Sequence, residues 1–255
     1  MNSSIHRHSV LAITLFCCSL IIGCSARVSN EKIMVYMIGD STMADKPLED
    51  NPERGWGQLF PRFFDDAVVI ENHAKNGRST RSFIAENLWQ PVVDKLKKGD
   101  YVFIQFGHND ESKEKTDRYT PPEDYRKYLI KFLTEAEAKD AQPILCTPIV
   151  RRHFDSTGTF SDTHGVYPQI VRDVAAEYKV PLIDMDTKSA ALVTALGPDS
   201  TKKIYEWIEP GVYKSIPKGK QDNTHFTEYG AITMAQLAVD GIHELHLGLE
   251  KHLKK

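Results

Sequence analysis

The stretch from Ile33 to Thr42, IMVYMIGDST, is an apolar run of strand length that stops abruptly at Gly39, Asp40 and Ser41. A continuous apolar run bounded by a Gly-Asp turn predicts a strand that is buried on both faces of a parallel sheet. Polar residues just past the carboxyl end of such a strand lie where open α/β sheets bind ligands. Ser41 is therefore either a nucleophile or, like Asp40, a residue that caps a following helix.

Segments with strand and helix patterns alternate along the rest of the chain, and no repeat or change of composition divides it. This alternation predicts one α/β domain, residues 33–255, in which helices cover both faces of a parallel sheet. A long irregular section, residues 197–221, precedes a closing helix predicted at 226–245. The further strands are predicted at residues 67–71, 101–106, 143–147 and 180–183.

Composition excludes several classes of function. The chain has 255 residues, of which 41% are hydrophobic and 26% charged, and a net charge of −3. It has no basic stripe interleaved with aromatic residues, so a nucleic-acid partner is not expected. There is no P-loop or dinucleotide fingerprint, and the segment from His243 to His246 is one residue short of the zinc motif H-E-x-x-H. We therefore expect neither a cofactor nor a metal.

The N-terminal residues 1–24 have the pattern of a signal peptide, with an apolar segment from Val10 to Ile22 that is too short to span a membrane comfortably. The sequence Ile-Ile-Gly-Cys ending at Cys24 resembles a bacterial lipobox, which would make Cys24 a lipidated first residue. Cleavage after Ala26 without a lipid is the alternative. Residues 25–32 are then a linker. We expect an exported protein that is located in the periplasm or at the outer membrane, where only the lipid would attach it to a membrane. If Cys24 is not lipidated, we expect the protein to be secreted.

Polar motifs follow each of the first three predicted strands. They are Gly39-Asp40-Ser41, Asn76-Gly77-Arg78 and Gly107-His108-Asn109-Asp110. Because the carboxyl ends of parallel strands share one edge of a sheet, these motifs should converge on one cleft. An acyl-transfer site needs a nucleophile and donors for the oxyanion. Ser41 can be the nucleophile, while the backbone N–H of Gly77 and the amide of Asn109 can be donors.

The segment from Asp222 to His225, Asp-Asn-Thr-His, is predicted to be a loop before the last helix. Its histidine can act as the general base, and the carboxylate three residues earlier can hold the imidazole in the useful tautomer. The alternative is that Asp222 forms a cap or an Asx turn and that His225 is a surface histidine. The three other motifs favour the catalytic interpretation.

The motifs GDST, NGRSTRSF, GHND and DNTH resemble the four signature blocks of the SGNH (GDSL-type) hydrolases, in the same order and with similar spacing. Within that superfamily, the Gly-Arg-Ser-x-Arg-Ser wording, the histidine after Gly107 and the segment TPIVRR at residues 147–152 resemble the rhamnogalacturonan acetylesterases. The resemblance implies a three-layer α/β/α sandwich, flavodoxin-like, with about five parallel strands. The lipase elbow G-x-S-x-G is absent, which argues against the α/β-hydrolase arrangement of the triad.

The resemblance also implies the roles of individual residues. Ser41 matches the nucleophile, His225 the base and Asp222 its orienting carboxylate. The oxyanion hole is implied to consist of the backbone N–H of Ser41 together with Gly77 and Asn109.

The implied function is that of a serine esterase, a carboxylic ester hydrolase, which removes acetyl groups from a plant cell-wall polysaccharide or its oligosaccharides through an acetyl-serine intermediate. Rhamnogalacturonan, a pectin, is the expected substrate. One alternative is an esterase of the same superfamily that acts on another acetylated carbohydrate, such as xylan. Another alternative is a surface lipoprotein that binds carbohydrate without catalysis.

Four arginines are candidates for binding the carboxylates of an acidic pectin backbone, because the guanidinium group suits bidentate recognition of carboxylates. Their alternative roles are surface charge and structural ion pairs. His108 either lines the pocket or satisfies a nearby carbonyl, and the charged stretch at residues 111–118 is expected to be a solvated loop. The four arginines are Arg78, Arg81, Arg151 and Arg152.

Overall fold

Residues 32–254 are described by a computed structural model of the chain. The predicted signal peptide, the lipidation of Cys24 and residues 25–31 of the predicted linker lie outside these residues and stay predictions. Among the described residues, no helix is long and apolar enough to cross a membrane.

The central sheet of the described chain has five parallel strands in the order β2-β1-β3-β4-β5. This order is that of flavodoxin-like folds, and the predicted fold class is confirmed. Because the order reverses beside β1, a crevice opens at the carboxyl ends of β1 and β3. The strands are β1 (Ile33–Gly39), β2 (Val68–Asn72), β3 (Tyr101–Gln105), β4 (Gln142–Cys146) and β5 (Leu182–Ile183).

Helices cover both faces of this sheet. Side chains of a strand point alternately to its two faces. In β1, Val35 and Met37 belong to one apolar core, whereas Tyr36 and Ile38 belong to the other. The described α-helices are α1 (Trp56–Leu59), α2 (Thr80–Ala85), α3 (Gln90–Lys95), α4 (Pro122–Glu137), α5 (Tyr167–Tyr178), α6 (Met185–Ser200) and α7 (Glu228–Glu244). The first core contains residues of α1, α6 and α7, and the second contains residues of α2, α3, α4 and α5.

A second, two-stranded antiparallel sheet lies between α6 and α7 in the chain, formed by β6 (Tyr205–Ile208) and β7 (Lys220–Phe226). The prediction of an irregular section followed by a loop was wrong here. With Phe226 as its one apolar residue, β7 lacks the alternation that marks a strand. The pairing is irregular, because partners two residues apart in β6, Tyr205 and Trp207, match residues five apart in β7. Asp222 and His225 lie in the irregular part of β7, between the paired residues Gln221 and Phe226.

Candidate active site

Ser41 lies in the turn that follows β1. The turn requires Gly39, because a Cβ atom there would lie 2.6 Å from the backbone oxygen of Gln105. The Oγ atom of Ser41 is 2.9 Å from Nε2 of His225. The next described helix begins only at Trp56, so Ser41 does not cap a helix.

Asp40 is fully buried beside Ser41 and joins the ends of β1 and β3. Its Oδ1 accepts hydrogen bonds from the backbone N–H (2.9 Å) and the hydroxyl (2.8 Å) of Thr42, and its Oδ2 lies 3.3 Å from Nδ1 of His108. Burial alone would raise the pKa of Asp40, but His108 and Thr42 together lower it to about 2. Burial also lowers the pKa of His108, against the opposing effect of Asp40. Asp40 therefore anchors the turn that presents Ser41.

His225 has its partners at both ring nitrogens. Its Nδ1 lies 2.8 Å from Oδ2 of Asp222, whose Oδ1 accepts the backbone N–H groups of Thr224 (2.7 Å) and His225 (3.0 Å). Since an ionised carboxylate only accepts, Nδ1 carries the hydrogen and Nε2 is left to accept the proton of Ser41. Burial opposes ionisation of Asp222, yet these hydrogen bonds hold its pKa well below the ordinary range. Asp222 thus forms an Asx turn and orients the imidazole at once.

Arg152 supports the irregular part of β7 and does not line the cleft. It is 8% exposed, and its guanidinium donates to Thr201 Oγ1 (3.1 Å), Asn223 Oδ1 (3.2 Å) and the oxygen of Pro198 (2.6 Å). Its carbon Cζ lies 4.5 Å from the ring centroid of Trp207, whose Nε1 donates to the same Asn223 oxygen. The predicted substrate contact of Arg152 is therefore corrected to a structural role next to Asp222.

A cleft of about 520 Å³ brings the predicted oxyanion donors together with Ser41 and His225. Asn109 donates one amide hydrogen to the backbone oxygen of Arg78 at 3.0 Å, which leaves the second N–H for a ligand. Gly77 has φ +76°, a left-handed conformation that glycine adopts without strain. The cleft is lined by Ser41, Glu53, Asn76, Gly77, His108, Asn109, Ser112, Glu114, Lys115, Arg118, Arg151, Thr224 and His225.

A buried lysine fixes the loop that contains Gly77. Lys46 is 5% exposed and pairs with Glu53 at 2.6 Å and with the side-chain oxygen of Asn76. Sequence reasoning missed Lys46 and Glu53, because they lie outside the four motifs and nothing in their local pattern shows that the two side chains pair.

The remaining predicted arginines differ in their positions. Arg78 binds Glu86 at 2.8 Å, Arg81 donates to two backbone oxygens, and neither of them lines the cleft. Arg151 does line the cleft, where it pairs with Glu111 and donates to the backbone oxygen of His108 at 3.3 Å. The alternative of structural ion pairs thus fits Arg78, and Arg151 is left as the candidate for substrate.

The charged stretch at residues 111–118 is a loop in which residues 113–117 are exposed, as expected, and several of its side chains also line the cleft. Arg118 lies beside the oxyanion loop, since a Cβ added to Gly77 would be 2.9 Å from its Nη1. Its ion pair is with the neighbouring and exposed Asp117, at 3.0 Å. The other lining residues of this stretch are Ser112, Glu114 and Lys115. A run of charges in a sequence does not show which side chains face solvent and which face a cleft.

Among residues 32–254, two groups of side chains have metal-ligating atoms within 4.8 Å of one another, namely Glu53, Glu206 and His225, and Asp162, His164 and Asp186. In each group a cationic side chain already pairs with a carboxylate. Lys220 binds Glu206, and Arg172 binds Asp186. Both ring nitrogens of His225 already have partners, because Nδ1 contacts Asp222 and Nε2 contacts Ser41.

Asp110 is the buried carboxyl group next to Asn109. Its Oδ1 accepts hydrogen bonds from the backbone N–H (3.0 Å) and the hydroxyl (2.6 Å) of Thr80, and its Oδ2 has no partner among residues 32–254. Burial raises the pKa of Asp110 to about 7. The folded state therefore keeps a proton that the unfolded chain loses near pH 4.

Asp110→Asn should change how stability depends on pH. Asp110 makes its whole contribution to the free energy of unfolding below about pH 4. This contribution is lost as the pH rises towards 7, because the raised pKa makes ionisation of Asp110 in the folded state costly. The free energy of unfolding of Asp110→Asn, minus that of the wild type, should therefore increase between pH 5 and pH 8. Urea unfolding at each pH would measure it, with the exposed Asp94→Asn as control. A difference that stays constant with pH would refute the assignment.

The family of the chain follows from comparisons with known proteins. Residues 37–231 match the model of the GDSL-like Lipase/Acylhydrolase family. The chain is 40% identical to "Rhamnogalacturonan acetylesterase RhgT" of Bacillus subtilis over 224 residues, which are 88% of this chain and 95% of the relative.

Solved structures share the fold. The Bacillus subtilis protein YxiM superposes with a TM-score of 0.73 at 27% identity, over 86% of this chain and 58% of that one. The acetylxylan esterase Axe2 of Geobacillus stearothermophilus superposes with a TM-score of 0.61 over 83% of this chain and 94% of that one, but at 16% identity this likeness concerns the fold alone. The chain belongs to the GDSL-like lipase/acylhydrolase family, in which it is similar to the rhamnogalacturonan acetylesterases, and it is a carboxylic ester hydrolase.

Proposed function

We propose that the protein is a serine esterase that removes acetyl groups from a pectic polysaccharide of the rhamnogalacturonan type. The observation that carries this proposal is the hydrogen-bonded series from Ser41 to His225 (2.9 Å) and from His225 to Asp222 (2.8 Å), at a cleft that Gly77 and Asn109 also line. The similarity to RhgT along 95% of that relative supports the substrate class.

The proposed cycle uses these groups in two halves. His225 takes the hydroxyl proton of Ser41, and Oγ attacks the acetyl carbonyl carbon of the sugar ester. The resulting oxyanion is stabilised by the backbone N–H groups of Ser41 and Gly77 and by the amide of Asn109. The C–O bond to the sugar breaks, and the sugar oxygen leaves with the proton from His225. Water, deprotonated by His225, then attacks the acetyl carbon of the acetyl-serine. The bond from that carbon to Oγ of Ser41 breaks, Oγ takes the proton back from His225, and acetate is released.

Asn109→Ala should fold normally and lose turnover by about 100- to 1,000-fold, the usual cost of removing one oxyanion donor. The amide of Asn109 is the one side-chain donor that we assign to the oxyanion. The measurement is kcat for an aryl acetate, with thermal unfolding as the check of the fold. Near-wild-type kcat would remove Asn109 from the mechanism.

Three cationic side chains, Lys115, Arg118 and Arg151, line the cleft together with Glu53 and Glu114. Glu53 pairs with Lys46 and Arg151 pairs with Glu111, whereas the partner of Arg118 is the exposed Asp117. Cationic side chains, and the guanidinium fork in particular, bind carboxylates. A sugar acid next to the acetyl group would find such partners here.

A panel of three substrates tests the proposal. Purified protein should release acetate faster from acetylated rhamnogalacturonan than from acetylated xylan, and it should also hydrolyse a short-chain aryl acetate. Faster release from xylan would favour the other carbohydrate esterase, and no hydrolysis of any substrate would favour the non-catalytic binding protein. Export with lipidation at Cys24 stays a prediction, which a mass spectrum of the mature N-terminus would test.

A further inference from the structure

A second cavity of about 630 Å³, which we call the side cavity, opens next to the catalytic cleft. It lies between residues 111–114, the start of α4 at Pro122 and the residues 163–167 that lead into α5. Ser112, Glu114 and Arg151 line both the side cavity and the cleft. Because the two spaces share these side chains, one extended ligand can occupy both.

One wall of the side cavity is apolar. It includes Pro122, Val166 and two tyrosines, Tyr119 and Tyr167. Val166 is 54% exposed, a high fraction for an aliphatic side chain, since most such side chains of a folded protein are buried. Apolar and aromatic surfaces of this kind pack against the C–H faces of sugars, while a few polar groups fix the orientation of the ligand.

Two buried acceptors lie at the same cavity. His164 is 1% exposed; its Nδ1 bonds Asp162 at 2.7 Å, and its Nε2 has no partner among the described residues. Glu111 likewise has a buried Oε2 without a partner in the described chain. Because Asp162 holds the hydrogen of His164 on Nδ1, Nε2 is an acceptor, as is the carboxylate oxygen of Glu111. Buried polar atoms normally have partners, so a ligand that enters the side cavity and reaches these two covered acceptors would satisfy them with its hydroxyl groups.

The side cavity has Lys113 and Arg151 against Glu111 and Glu114, so its formal charges balance and suit a neutral, hydroxyl-rich group. In the cleft, Glu53 pairs with Lys46 and Arg151 pairs with Glu111. Lys115 also lines the cleft, as does Arg118, whose partner is the exposed Asp117, and these two cations suit a carboxylate there.

We propose that the side cavity is a subsite for the neutral sugar that adjoins the acetylated, acidic sugar in the same polysaccharide chain. This inference rests on the proposed function. Rhamnogalacturonan combines galacturonic acid with rhamnose, a neutral sugar that carries a methyl group. That methyl group would pack against Val166, and the sugar hydroxyls would donate to Nε2 of His164 and Oε2 of Glu111.

The test compares a polymer-derived substrate with a small ester that cannot reach the side cavity. Val166→Trp fills the cavity from its exposed wall. We expect the ratio of kcat/KM for acetylated rhamnogalacturonan oligosaccharides to kcat/KM for 4-nitrophenyl acetate to fall by about tenfold or more, mainly through KM. Val166→Ile, which keeps the apolar wall, should retain most of the ratio. Val212, which is 62% exposed and does not line the side cavity or the cleft, provides the matched control Val212→Trp.

The outcomes separate the two proposals. An unchanged ratio in Val166→Trp, or an equal fall in Val212→Trp, would overturn the subsite while leaving the esterase assignment in place. If the wild type hydrolyses the aryl ester but releases no acetate from the oligosaccharides, the proposed substrate fails, and the subsite fails with it. Binding of deacetylated oligosaccharides to the Ser41→Ala protein, measured by calorimetry with and without Val166→Trp, gives a readout that does not depend on turnover. Val166→Trp is expected to weaken this binding by a similar factor of about tenfold.

Discussion

Ser41→Ala is expected to lose ester hydrolysis almost completely, with a fall in kcat on the order of a million-fold. The Oγ atom of Ser41 is the nucleophile of the proposed cycle, and it lies 2.9 Å from Nε2 of His225. Alanine at this position provides no atom that can form the acetyl intermediate. Because the anchoring bonds of the turn belong to Asp40 and Thr42, the fold should be unaffected.

Labelling with a serine-directed fluorophosphonate provides the measurement beside kcat. The wild type should be labelled at Ser41, as located by mass spectrometry of the peptides, and Ser41→Ala should not be labelled. Ser112→Ala is the matched control in the same cleft, because the hydroxyl of Ser112 donates to the backbone oxygen of His108 at 3.0 Å. Ser112→Ala should still be labelled at Ser41. Appreciable turnover by Ser41→Ala would exclude Ser41 as the nucleophile.

Asp222→Asn is expected to lower kcat by about 10,000-fold. The carboxylate of Asp222 keeps the hydrogen of His225 on Nδ1 and stabilises the imidazolium that forms when Ser41 gives up its proton. An asparagine is neutral and can offer its NH₂ group to Nδ1, which would favour the tautomer with the hydrogen on Nε2. Its amide oxygen can still accept the backbone N–H groups that bind Oδ1 of Asp222, so the local structure should be retained.

Asp155→Asn is the matched control for this prediction. Oδ1 of Asp155 also accepts two nearby backbone N–H groups, those of Thr157 at 2.8 Å and Thr159 at 3.0 Å, but Asp155 is exposed and does not line the cleft. Its replacement should leave kcat for an aryl acetate within about twofold of the wild type. If Asp222→Asn and Asp155→Asn had similar kcat values, the orienting role of Asp222 would be refuted.

The sequence alone was sufficient for the sheet and for the convergence of the four motifs. The apolar run before Gly39 predicts a buried strand through its local pattern, and the shared edge of parallel strands then brings Ser41, Gly77 and Asn109 to one cleft. The short spacing from Asp222 to His225 allowed their contact to be anticipated, although the strand that contains them was not. The polar sequence of β7 does not predict a strand, because β7 has no apolar alternation and is paired with β6 through contacts that are distant in the chain.

Tertiary structure alone decided the roles of the lysines and arginines. Arg152 and Arg151 are neighbours in the sequence, yet Arg152 binds Asn223, 71 residues away, whereas Arg151 lines the cleft. Arg118 lies beside Gly77, and Lys46 is buried behind Asn76, although neither stands in a recognisable motif. A local pattern records which residues are apolar and how they repeat. The environment of a charge depends on partners that are distant in the chain, and these meet only when the layers pack.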